Sequence, residues 1–226
     1  MRVLITAVAV ALSVATLGAG GCREESPAMK KANLGRAFTE RGDTERAIRT
    51  LNEAIRLDPE LVMSYELLGE AQLAAGNHEE AIKSFRETVR RDPVRDTAHT
   101  SLGCLLLATG GDLNEAETAL DAAMQVNQAD SRSLACMGAL RLEQRDMTQA
   151  VAMSEKAISL NPQSVQARLN LGLAFMEMGR TEEARTQVEQ VISLARDNEA
   201  VKSQARMLLD VLSHPSVQGG PADPSG

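Results

Sequence analysis

The sequence predicts an all-α solenoid of stacked helix pairs, on three observations. A leucine or methionine followed by glycine recurs at a period of 34 residues, lengthened once by one, at Leu34-Gly35, Leu68-Gly69, Leu102-Gly103, Met137-Gly138 and Leu171-Gly172. A lone alanine follows twelve residues later at Ala47, Ala81, Ala150 and Ala184, and thirteen later at Ala116, where Gly110-Gly111 adds a residue. Proline stops at Asp58-Pro59, Asp92-Pro93 and Asn161-Pro162 close three of the copies, since proline cannot continue a helix and restricts the residue before it. Units of this length are helix pairs that cannot bury their apolar faces alone, so the copies must stack.

The amino terminus comes first in chain order. Arg2 precedes an unbroken apolar or small stretch over residues 3–17, and Gly18-Ala19-Gly20-Gly21 leads into Cys22. A charged start, a short apolar run and small residues before a cut describe a secretory signal over 1–21, too short for an ordinary membrane span. Residues 22–27 form a short linker, and five units are expected at 28–61, 62–95, 96–130, 131–164 and 165–198.

Within the units, Gly35, Gly69, Gly103, Gly138 and Gly172 sit in helical stretches, where glycine costs about 1 kcal/mol relative to alanine; close approach of a neighbouring helix is the compensating gain. Between the paired helices stand Gly42-Asp43, Gly76-Asn77, Gly111-Asp112 and Arg145-Asp146, each a turn residue and then a side chain that accepts from free helical N–H groups. Glu80, Glu115 and Gln149 follow three of these caps at capping-box spacing. Residues 199–213 supply a closing helix, with Val201, Ala205, Leu208 and Leu212 on one face and Lys202, Arg206 and Asp210 elsewhere. Residues 214–226, rich in proline and glycine and without apolar period, read as a disordered tail.

These markers resemble the tetratricopeptide repeat. Leu34, Gly35, Phe38, Ala47, Leu51, Ala54 and Pro59 satisfy every position of that signature, while later copies depart from it at Gln72, Thr88, Gln128, Arg141, Ser154 and Arg196. The resemblance implies a right-handed α-solenoid of about five helix pairs plus a C-terminal capping helix, with an inner groove lined by the first helix of each pair. Carried over by register, the groove takes Met63, Glu66, Glu70, Leu73 and Ala74 from the second copy and Thr97, Thr100, Cys104, Leu107 and Ala108 from the third. The fourth gives Arg132, Ala135, Ala139, Leu142 and Glu143, and the fifth Gln166, Leu169, Leu173, Met176 and Glu177. No register offers the lysine, asparagine and arginine clamp with which chaperone-binding members hold a terminal carboxylate. The implied partner is another protein, an apolar helix or extended segment anchored on Leu107, Leu142, Leu173 and Met176. The other reading is a structural module that self-associates.

Cys22 after small residues resembles the lipobox of bacterial lipoproteins, although Ala19 stands where leucine is commonest. That resemblance implies cleavage, diacylglycerol on Cys22, attachment by at least two acyl chains, and a place in the cell envelope. An ordinary cleaved signal would leave a secreted protein instead. From Cys22 the five residues to Pro27 reach about 17 Å at most, so an anchored scaffold lies against the bilayer. Arg23, in place of the aspartate that retains many such lipoproteins in the inner membrane, favours the outer membrane.

Charge and composition exclude other classes. A net charge of −7 disfavours nonspecific binding to nucleic acid or anionic lipid. The histidines, His78, His99 and His214, share no metal spacing, and there is no phosphate loop, dinucleotide fingerprint or nucleophile elbow, so neither cofactor, small-molecule substrate nor catalysis is expected. Glu79-Glu80 and Glu182-Glu183 open second helices, where acidic residues suit the dipole. Cys104 and Cys136, among apolar neighbours in adjacent first helices, are expected as buried free thiols; a disulfide would need their Cα atoms within about 7 Å.

Overall fold

The computed structural model describes residues 25–196 and 198–213. The expected signal segment at 1–21, Cys22 and the expected tail at 214–226 lie outside them. Among the described residues there are eleven helices and no strand: α1 (Pro27–Glu40), α2 (Thr44–Leu57), α3 (Val62–Ala74), α4 (His78–Arg91), α5 (Asp96–Thr109), α6 (Leu113–Val126), α7 (Ser131–Glu143), α8 (Met147–Leu160), α9 (Val165–Glu177), α10 (Thr181–Leu194) and α11 (Glu199–Ser213).

Each odd helix pairs with the even helix after it, and each even helix packs on the next odd one, ending with α10 on α11. First helices also lie side by side, α1 on α3, α5 on α7 and α7 on α9, which makes the array a solenoid. Because first helices are covered from several sides, α3 buries a run through Ser64, Glu66, Leu67, Leu68, Gly69, Ala71 and Gln72. Second helices bury one stripe, as α4 does with Ala81, Ser84, Phe85 and Thr88. A helix surrounded by others needs no polar face, whereas an outer helix does.

The periodic markers sit at the tightest contacts. Ala47, Ala81, Ala116, Ala150 and Ala184 are all fully buried. A Cβ added to Gly35 would meet Leu51 Cγ at 2.5 Å, and one on Gly103 would meet Leu120 Cγ at 2.6 Å and the Ala116 carbonyl at 3.0 Å. Glycine therefore lets the first helix touch the second of its own pair.

The turns follow the expected chemistry with two exceptions. Asp43, Asp112 and Asp146 each accept from backbone N–H groups of the helix they open, whereas Asn77 makes no such bond. In the third copy Gly110, not Gly111, takes the left-handed conformation (φ 67°), so the extra residue is absorbed just after α5. Arg145 holds a left-handed φ of 61° where other copies have glycine. At the carboxyl end Ala205 and Leu212 of α11 are buried, with Val201, Leu208 and Leu209 packed beside them against α9 and α10.

Gln72, Thr88 and Arg141, polar at apolar signature positions, find polar partners, and Ser154 does not. Ser84 Oγ donates to Gln72 Oε1 at 2.6 Å, and Thr88 Oγ1 to the Ser84 carbonyl at 2.9 Å. Arg141 turns outward to Glu117 at 2.7 Å. Ser154 is fully buried and its Oγ has no partner.

Candidate functional site: the concave groove

The first helices present a groove with polar groups along its length and a depression toward its carboxyl end. Toward the amino end it is polar. Glu66, 7% exposed, accepts from Arg95 Nε at 2.8 Å and Arg95 Nη2 at 2.5 Å, and from the Thr97 hydroxyl, which ties α3 to the start of α5. Glu70, one turn further on, is exposed, yet its carboxyl is pushed up from the ordinary range, first by desolvation in the groove and then by the charge of Glu66. Arg132 is exposed, with Nη1 3.4 Å from Ser101 Oγ.

In the middle, Thr100 Oγ1 lies 2.5 Å from Ser133 Oγ and donates to Asp130 Oδ2 at 3.2 Å, joining α5 to α7. Asp130 also accepts from the N–H groups of Arg132 and Ser133 and from the Ser133 hydroxyl, capping α7. Burial alone would raise its carboxyl; the bonds from Ser133, Arg132 and Thr100 outweigh it and hold the group below the usual aspartate range. One turn along, Cys104 and Cys136 are joined by a disulfide with their Cα atoms 5.4 Å apart. This corrects the expectation of free thiols: side-by-side packing of α5 and α7 brings residues 32 apart in sequence within bonding reach, and both are half-buried, not sealed in the core.

Toward the carboxyl end the groove holds a depression of about 380 Å³ lined by Ala139, Leu142, Glu143, Arg145, Met147, Gln166, Asn170, Leu173 and Glu177. Six of these nine are positions that register placed in the groove: Ala139, Leu142, Glu143, Gln166, Leu173 and Glu177. Its walls are fixed by Asn170, 2% exposed, which donates to the Ala135 carbonyl at 2.7 Å and accepts from Gln166 at 2.8 Å. Arg145 bridges to Glu177 across the rim at 3.0 Å. Sequence reasoning did not assign Arg145 or Met147 to this surface. They come from the turn after α7 and the start of α8, outside the first-helix register.

Other register positions belong to the packing instead. Leu169 is buried against Val188, Val191 and Ala205, because α11 covers the side of the last pair that it faces. Met63 packs on the core around Leu51 and Leu67, Leu73 and Leu107 on that around Phe85 and Leu105, and Met176 on Phe175 and Leu212. All four are half-buried, so each shows the groove only part of its surface.

Among the described residues no group of three or more His, Cys, Asp or Glu could hold a metal ion, and no helix is long and apolar enough to cross a membrane.

Paired helices with a Leu-Gly and Ala contact in each unit, stacked about one groove, define a tetratricopeptide-repeat scaffold, a fold for protein interaction. Tetratricopeptide-repeat family models match residues 32–96, 66–132 and 141–207, and the chain belongs to that family. Among solved structures it is similar to PilW, a widely conserved type IV pilus biogenesis factor, with a TM-score of 0.70 and 16% identity over 82% of this chain and 87% of that one. It is similar also to YrrB, a TPR protein with an unusual peptide-binding site, with a TM-score of 0.62 and 18% identity over 79% and 92%. MamA from Desulfovibrio magneticus RS-1, from residue 41 to its end, gives a TM-score of 0.65 and 22% identity over 75% and 95%. Identities this low establish the fold alone. No curated protein matches the chain by sequence.

Proposed function

We propose that this chain is a lipid-anchored adaptor that holds an apolar helix or extended segment of another protein in its groove, in the assembly or regulation of a cell-envelope complex. The observation that carries the reading is the depression between α7 and α9, where the half-buried Leu142 and Leu173 stand among Gln166, Glu143 and Glu177. Two leucines set among amide and charged groups suit a short segment that places two apolar side chains there and hydrogen-bonds around them. YrrB's peptide-binding site and PilW's part in pilus biogenesis are precedents for the two halves of the proposal. The anchor rests on Cys22 behind Gly20-Gly21, and acylation there would place the solenoid at the bilayer.

Two experiments test it. Leu142→Ala with Leu173→Ala should reduce partner capture by about tenfold or more, as expected for central apolar anchors, while far-UV helicity stays unchanged. Capture equal to the parent chain, with the fold intact, contradicts the groove. Labelled fatty acid should enter the parent protein and not Cys22→Ser; absence of label from the parent contradicts the anchor.

A further inference from the structure

The junction between the third and fourth helix pairs is tied on one side and gapped on the other. On the groove side the Cys104–Cys136 disulfide joins α5 to α7, with the Thr100, Ser133 and Asp130 hydrogen bonds one turn away. On the outer side a depression of about 330 Å³ separates α6 from α8 and exposes parts of Met124 and Met153 above the buried Leu134. Asp121 of α6 and Lys156 of α8 line the same gap, and among the described residues no hydrogen bond or ion pair crosses between these two helices. The neighbouring junction also carries an outer depression, of about 240 Å³, but there Arg86 of α4 clasps Glu115 of α6 across it at 2.6 and 2.7 Å. Between the two sides lies a packed fulcrum of Leu120, Met137 and Leu140.

We propose that the disulfide is the lock of a hinge at this junction, and that opening it by a dithiol changes the width of the groove. The proposal rests on the groove reading and adds its regulation. Rotation about the fulcrum that brings α6 against α8 would bury the methionines and draw Asp121 toward Lys156; the same rotation lifts α5 from α7. Hydrogen bonds between α5 and α7 can exchange with water as that happens, whereas a covalent bond forbids the motion. Cys104 and Cys136 are half-buried residues, and opening the lock requires that a reductant reach their sulfurs from the groove. A thiolate of the dithiol attacks one sulfur, the S–S bond breaks, and the released cysteine takes a proton. The reductant's second thiol then resolves the mixed disulfide, so that two electrons pass to the protein and the reductant leaves as a disulfide. Leu107 and Leu142, on α5 and α7, move apart.

The test compares the full chain oxidised, the same chain reduced with dithiothreitol, and Cys104→Ser/Cys136→Ser. Neutron scattering in contrast-matched detergent reads the longest dimension, and amide exchange reads local opening. The hinge predicts a longer particle and exchange about tenfold or more faster in α5 and α7 on reduction, with exchange in α1, α2 and α10 and the overall helicity unchanged. The serine variant should match the reduced chain, and if it fails to fold, reduction of the folded chain decides. Identical scattering and exchange in both redox states overturn the proposal, as does loss of helicity along the whole chain on reduction. Partner capture is measured in parallel. Its absence in both states refutes the groove reading without touching the hinge, since the hinge signals need no partner.

Discussion

At the residue scale, the glycine inside each first helix is a packing requirement. Gly103→Ala gains roughly 1 kcal/mol of helix propensity but drives a methyl group into Leu120 Cγ at 2.6 Å and toward the Ala116 carbonyl. Overpacking of this kind costs about 1–3 kcal/mol, so urea denaturation should show a net loss. Ser154 is the opposite case. Its buried Oγ has no partner, and Ser154→Ala removes an unsatisfied group at small cost in volume, so the same measurement should show a gain of about 1 kcal/mol. The sequence marked both positions, Gly103 as a recurrent element and Ser154 as a departure from the pattern. It could not show that Gln72 and Ser84 answer one another across a helix pair while Ser154 has nothing to answer it, because that depends on which side chains face each other.

At the scale of elements, Asp130 caps α7 and also reaches Thr100 of α5. Its carboxyl is held below the ordinary value, so the stability it contributes is fully present above the unfolded value near about 3.9 and is lost as pH falls through the folded value. Asp130→Asn should therefore be less stable than the parent at neutral pH and should lose less stability between neutral pH and the acid range. Parallel stability-against-pH curves for the two chains would contradict this. Helix order, turns and the closing helix could be read in advance because each has a local cause: a cap, a left-handed glycine, an apolar stripe. The Cys104–Cys136 bond could not, since it depends on the lateral register of α5 and α7, which a sequence period implies only coarsely. Leu169 shows the same limit from the other side. Register placed it in the groove, but α11 covers the last pair and draws it into the core with Val188 and Val191.

At the scale of the molecule, stacking turns marginal helix pairs into one body with an inner and an outer surface of different character. Six of the nine residues around the groove depression stand at register positions; Arg145 and Met147 reach it from the α7–α8 turn, which a first-helix register does not cover. Ion pairs occur on both surfaces, Arg86 with Glu115 outside and Arg145 with Glu177 at the groove rim, but the depression that shows Leu142 and Leu173 lies inside. The proposed adaptor therefore predicts an asymmetry between the two surfaces, and site-specific photocrosslinking in the native cell measures it. A photoreactive residue at position 142 or 173, inside the groove, should yield a discrete crosslinked product with another protein, while one at position 121 or 189 on second helices should not. Products of equal yield from both surfaces, or from the second-helix positions alone, would contradict a groove that holds the partner.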